Sequence, residues 1–232
     1  MLTIIKKEEI ENYLGFQAEP TPWHQVTQQQ INQFADCTLD HQFIHVDEEK
    51  AKGSVNCTKA VWDIMREQNY GRIVMTTSSS GLYGNFGQSN YGAAKMAVLG
   101  LMNTLVIEGA KDNIRINALA PTAGTRMTED LMPEEIVRAF APEAVTAGML
   151  TLCDDEAPNR FILCAGAGGY SSASMFETEG CFIPPNCQSP ETVREHWGDL
   201  TAQDKQAALE SGTKQGEKFI MKAMAFMQSQ KT

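Results

Sequence analysis

The stretch Gly71-Arg72-Ile73-Val74-Met75-Thr76-Thr77, followed by Ser78-Ser79-Ser80-Gly81, decides the fold. A short apolar run with β-branched residues, opened by glycine, reads as a buried strand. A Gly- and Ser-rich loop is expected from Ser78 to Asn90. Tyr91 to Gly109 is the strongest helical pattern in the chain. Upstream, Ser54 to Gln68 is helical in period, with Val55, Ala60, Val61, Ile64 and Met65 on one side. Downstream, Ile114-Arg115-Ile116-Asn117-Ala118-Leu119 reads as a second strand, stopped by Pro121. Short helices follow at Pro133–Phe140 and Val145–Cys153, then a third strand at Phe161–Cys164. Strands alternating with helices predict an α/β fold: a parallel sheet with crossover helices. The tail from Pro190 on reads as polar and helical, with Phe219, Ile220, Met224 and Phe226 as its apolar side.

Composition narrows the function classes. The 232 residues are 42% hydrophobic and 21% charged, a soluble, globular balance. No uninterrupted apolar run approaches the ~20 residues needed to span a bilayer, so no membrane partner is expected. The formal net charge of -10 would on average repel phosphate backbones, so nucleic acid is not an expected partner. Met1 to Lys7 is too short for a secretory signal, and its apolar residues precede the charges rather than follow them. The six cysteines form no CxxC pair and have no histidine at zinc-ligand spacing. They read as reduced thiols in a cytoplasmic chain without a metal, although a Cys181–Cys187 disulfide is possible.

Tyr91 and Lys95 lie four apart on the predicted helix, which puts both side chains on one face. An ammonium beside a phenol favours the phenolate. Such a tyrosine can exchange a proton with an alcohol or a ketone. Ser78 lies thirteen residues earlier at a strand exit, where a hydroxyl could hold the same substrate oxygen. Taken alone, a Tyr and a Lys at this spacing read as a surface pair.

The wider segment supplies the context. Thr77 to Gly81, Tyr83-Gly84-Asn85-Phe86-Gly87-Gln88-Ser89-Asn90-Tyr91-Gly92-Ala93-Ala94-Lys95 and Asn113 to Pro121 resemble the active-site segment of short-chain dehydrogenases. Tyr83 to Gln88 and Gly124-Thr125-Arg126-Met127-Thr128 are most similar to the 3-hydroxyacyl-CoA dehydrogenase module of bifunctional, peroxisomal-type β-oxidation enzymes. The resemblance implies that Tyr91 is the acid/base, that Ser78 orients the substrate oxygen, and that Lys95 holds the nicotinamide ribose and tunes Tyr91. Pro121, Thr122 and Ala123 would border the nicotinamide; Thr122 stands where most of the family has glycine. The implied cofactor is NAD or NADP, and the implied substrate is an acyl-CoA or a similar alcohol or ketone. In the family the Ser54–Gln68 and Gly92–Gly109 helices form a dimer bundle, so a homodimer is expected.

A dinucleotide fold also needs a strand, a glycine-rich turn and a helix N-terminus facing the pyrophosphate. No Gly-x-Gly-x-x-Gly precedes Ser78, and Gly15 and Gly53 are the only glycines before Gly71. Gly166-Ala167-Gly168-Gly169 follows a strand but reads as a flexible turn. The expected architecture is therefore the C-terminal part of a Rossmann-like sheet lacking its first βαβ units, with an apolar strand edge at Ile73, Val74 and Met75.

The front of the chain differs. Trp23 to Thr27, Ile31 to Asp36 and Asp40-His41-Gln42-Phe43-Ile44-His45-Val46-Asp47 resemble the N-terminal third of MaoC-like enoyl-CoA hydratases, a hot-dog fold. By that resemblance Asp40 and His45 would bind and activate water, with Leu39 where that family has glycine. The expected organisation is a hydratase fragment at 1–51 joined to a dehydrogenase catalytic half at 52–232, a truncated fusion. Three functions follow: dehydrogenase, non-catalytic remnant associating through its helices, or hydratase.

Overall fold

The computed structural model describes residues 53–124 and 133–229. Asp40, His45 and the Thr125–Thr128 part of the predicted motif lie outside these described residues.

Helix α1 spans Gly53–Glu67 and strand β1 spans Gly71–Thr76. A five-residue helix α2, Ser79–Tyr83, precedes the long helix α3, Ser89–Gly109. Strand β2 is Ile114–Thr122. Helices α4 (Glu134–Ala139) and α5 (Glu143–Thr151) lead to strands β3 (Ile162–Gly166) and β4 (Gly169–Ala173). Helices α6 (Pro190–Glu195), α7 (Trp197–Thr201) and α8 (Gly212–Ser229) close the chain.

The sheet order is β1-β2-β3-β4; the first three strands are parallel and β4 is antiparallel to β3. Among the described residues β1 pairs with β2 alone, so it is the sheet edge expected from the sequence. Strand β2 is the centre. Ile114, Ile116 and Ala118 join Met75, Leu99, Met102 and Ile162 in one cluster, against which Trp62 and Met65 of α1 also pack. Leu119 joins Val145, Leu152, Leu163 and Ala165 in a second. The two clusters place α3 and α5 on separate apolar surfaces of the sheet, the layering that parallel strands require. Each fully buried Leu, Ile or Met contributes about 1.5–3 kcal/mol. Helix α3 with its following turn, Ser89–Asp112, is long and apolar enough to cross a bilayer by length and composition, a property shared with the core helices of soluble proteins. Here it packs against β1 and β2.

Three sequence expectations are corrected. Ser78–Asn90 is not all loop. Ser78 caps α2 by accepting a hydrogen bond from the Ser80 N–H, and the N–H of Gly84 (φ 78°) closes the helix on the Ser80 carbonyl. Pro121 does not stop β2, which continues to Thr122. The β1 ladder ends at Thr76–Leu119, so only β3 flanks β2 at Pro121, and a missing N–H is tolerated there. The sheet is mixed, because Gly166–Gly169 is a hairpin with Ala167 and Gly168 at φ 50° and 76°. Two consecutive positive φ values make the type I′ turn that joins antiparallel strands. That stretch is therefore a hairpin turn rather than a flexible one.

Candidate active site

The parallel strands bring Thr76, at the end of β1, and Pro121 and Thr122, at the end of β2, to the same edge of the sheet. In open α/β sheets ligands bind outside the carboxyl ends of the strands. Ser78 begins the turn leaving β1. Its hydroxyl oxygen accepts from the Ser80 N–H at 3.2 Å. A hydroxyl has a second lone pair and a proton besides, so this bond does not prevent donation to a substrate oxygen.

Helix α3 carries Tyr91 and Lys95 one turn apart. The Lys95 Nζ stands 5.6 Å from the centroid of the Tyr91 ring. It donates to the Thr76 carbonyl at 3.1 Å, which leaves two N–H donors for a ligand. Burial lowers the Lys95 pKa from its ordinary value.

The Ser78–Ser80 turn touches the Tyr91–Lys95 turn. A Cβ at Gly92 would meet the Ser80 carbonyl oxygen at 3.1 Å, and one at Gly81 would meet Lys95 Cβ at 2.8 Å. Both glycines are needed for this approach of α2 to α3. Ser80 is buried; it donates to Gln88 Oε1 at 2.7 Å and accepts from Asn85 Nδ2 at 2.9 Å. These bonds tie down the loop whose Phe86 is fully exposed. Thr122 is exposed, with Pro121 and Ala123 partly buried beside it. Gly124 donates to the Phe140 carbonyl at 2.7 Å and fixes the path after β2.

The structure thus assembles Ser78, Tyr91 and Lys95 at one strand edge, with Pro121–Ala123 at the end of the neighbouring strand. Sequence reading missed Gly81, Gly92, Ser80, Gln88 and Asn117. Asn117 is fully buried; it donates to the Pro158 carbonyl at 2.7 Å and accepts from the Phe161 N–H at 2.9 Å. An asparagine inside an apolar strand was the available signal for it. Among the described residues no cluster of His, Cys, Asp or Glu could hold a metal, and Cys57, Cys153, Cys164, Cys181 and Cys187 are free thiols.

A serine, a tyrosine and a lysine are thus gathered at the carboxyl ends of parallel strands. The family model described as short chain dehydrogenase matches residues 25–136. The mouse "Peroxisomal multifunctional enzyme type 2" is 48% identical over 149 residues, covering 63% of this chain and 20% of the relative. A putative short-chain type dehydrogenase/reductase of Mycobacterium tuberculosis is 45% identical, covering 64% of this chain and 52% of its own. The solved structure of full-length peroxisomal multifunctional enzyme type 2 from Drosophila melanogaster superposes with a TM-score of 0.66 at 33% identity, covering 76% of this chain and 32% of that one. The matched part of the chain carries a short-chain dehydrogenase module. It spans about half or less of the length of these relatives. The family match begins at residue 25, ahead of the boundary at residue 51 expected from the sequence.

Proposed function

We propose that this chain is an NAD(P)-dependent oxidoreductase acting on a 3-hydroxyacyl-CoA or a similar alcohol/ketone pair. The observation that carries the reading is the half-buried Lys95 ammonium held over the Tyr91 ring, on the helix turn that touches the Ser78 turn. Tyr91 Oη would remove the hydroxyl proton of an alcohol, while the Ser78 hydroxyl donates to the same oxygen. The two unused N–H donors of Lys95 suit a ribose diol, and Pro121–Ala123 provide a wall beside a nicotinamide. The bound cofactor supplies hydride acceptance or donation. A relative named peroxisomal hydratase-dehydrogenase-epimerase supports the dehydrogenase assignment. Others named 3-oxoacyl-[acyl-carrier-protein] reductase and acetoacetyl-CoA reductase support a 3-oxo/3-hydroxy pair.

The decisive experiment is titration of the purified chain with NAD(H) and NADP(H), followed by nicotinamide fluorescence. Turnover is then assayed with a 3-hydroxyacyl-CoA. Saturable binding that weakens in Lys95→Ala, with turnover lost in Tyr91→Phe, is the expected result. A folded protein that binds neither nucleotide overturns the reading.

A homodimer through α1 and α3 is part of the same proposal. These helices expose Val55, Ile64 and Ile107 and flank a groove of about 280 Å³ floored by Trp62, Leu101 and Leu105. Free thiols support a reducing, cytoplasmic setting.

A further inference from the structure

Lys95 is held at more points than a surface lysine needs. Its ammonium donates to Thr76, its Cβ packs against Gly81, and its main-chain carbonyl accepts a 2.7 Å hydrogen bond from the Thr77 hydroxyl. Thr77 is only 1% exposed. Its own N–H donates to the Leu119 carbonyl at 2.8 Å, so the hydroxyl is anchored to the sheet. A helix carbonyl at this position already has the N–H four residues on as its partner, so the Thr77 bond is additional to helix formation. It links the centre of the sheet to the turn of α3 that carries Tyr91 and Lys95.

We propose that Thr77 is a positioning residue for Lys95: its buried hydroxyl fixes the height of α3 along β1, so that the Lys95 ammonium reaches the Thr76 carbonyl and the face of Tyr91. Without the hydroxyl, the Lys95 carbonyl loses its tie to the sheet and α3 is free to slide. Gly81 packs against Lys95 from α2, and a Cβ there would lie 3.0 Å from the Lys95 carbonyl carbon, so α3 is seated from two sides. A threonine with its hydroxyl turned into the interior could otherwise be replaced by valine of the same shape. The proposal predicts that valine does not suffice.

The consequence for catalysis rests on the dehydrogenase reading, but the seat can be read without turnover. Reductive 13C-methylation of the full chain gives each lysine an NMR signal. A dimethyl-ammonium keeps one N–H for Thr76, and its methyls over an aromatic face are shifted upfield of solvent-exposed lysines. The Lys95 signal is identified by its loss in Lys95→Met. The expected result is an upfield Lys95 resonance in the wild type and in Thr77→Ser. In Thr77→Val and Thr77→Ala it moves to the bulk-lysine position.

An unmoved resonance in folded Thr77→Val overturns the proposal, as does a wild type whose Lys95 resonates with the bulk. If neither Val nor Ala variant folds, Thr77→Ser decides: retention supports the seat and loss overturns it. In the turnover assay Thr77→Val should lower kcat by roughly tenfold to a hundredfold, with the KM for the acyl substrate little changed and Thr77→Ser restoring the rate. Absent turnover in the wild type counts against the dehydrogenase reading, and the methyl resonance still decides Thr77.

Discussion

At the scale of single residues, the site depends on a few contacts between α2 and α3. Gly81→Ala would place a methyl 2.8 Å from Lys95 Cβ, against main-chain neighbours that cannot swing aside. Overpacking of this kind costs about 1–3 kcal/mol, and a urea midpoint lowered accordingly is the expected outcome. Asn117→Ala removes the fully buried amide that pairs the part-buried Phe161 N–H and Pro158 carbonyl. An unsatisfied buried group costs about 1–3 kcal/mol, which equilibrium unfolding of the variant should show. Lys95 brings a pH dependence. Its folded-state pKa lies below its unfolded value, so the folded chain binds fewer protons between the two. Its burial penalty is fully present below the folded pKa and vanishes above the unfolded one, so stability rises with pH across that window. Relative to Lys95→Met, the wild type should gain stability as pH is raised from neutral toward the ordinary lysine range, and parallel unfolding series would check this. Ser78, Tyr91 and Lys95 were legible as candidates because the motif around them, Thr77 to Lys95, is a continuous local stretch of the sequence. Gly81, Ser80 and Thr77 were not. Their roles depend on which atoms lie across from them, and that is set only when α2 and α3 meet.

At the scale of elements, strands and long helices followed the sequence closely. Helices α1 and α3 and strands β1 and β3 fall within a few residues of their expected bounds, because apolar periodicity reports burial directly. Elements built from unusual backbone were missed. Helix α2 depends on a serine cap and a positive-φ glycine. The β3–β4 hairpin needs Ala167 at a φ of 50°, where alanine is rare, and β4 is mostly exposed, so no apolar pattern marks it. Helix α8 presents a different element-scale feature. Lys218 and Lys222 reach from it to Glu177 and Glu179, and both also donate to carbonyls of the 178–180 stretch. The Lys218 hydrogen bond, then that of Gln215, holds the Glu177 carboxyl below its usual range; Lys222 does the same for Glu179. Such pairs stabilise the docked helix above the ordinary glutamate pKa, and that contribution is lost as pH falls through the depressed values. Amide protection of α8, corrected for intrinsic exchange, should therefore be flat near neutrality and drop in acid, and should be lower throughout in Lys218→Ala.

At the scale of the whole molecule, the apolar residues left outside the core become the main question. Ile64 is 60% exposed on α1 and Ile107 54% exposed on α3, while Phe219, Ile220 and Met224 are exposed on α8. Exposed apolar residues are candidates for an association surface where they lie together. Replacing Ile64 by Lys is expected to lower the mass measured by light scattering to that of a monomer; an unchanged dimer would move the interface off α1. The tail is tied back to the centre by Arg160, which sits at a φ of 62° and donates to Asn103 of α3 at 2.9 Å and to the Leu209 carbonyl at 2.7 Å. Those partners lie 57 residues before and 49 residues after it in the chain. Because synthesis runs from the N-terminus, the Ser78, Tyr91 and Lys95 segment leaves the ribosome well before Leu209 does. Asn103 is therefore made before Arg160 and Leu209 after it, and the strand edge that holds Ser78, Tyr91 and Lys95 is complete in sequence while the tail that Arg160 ties down is still being made.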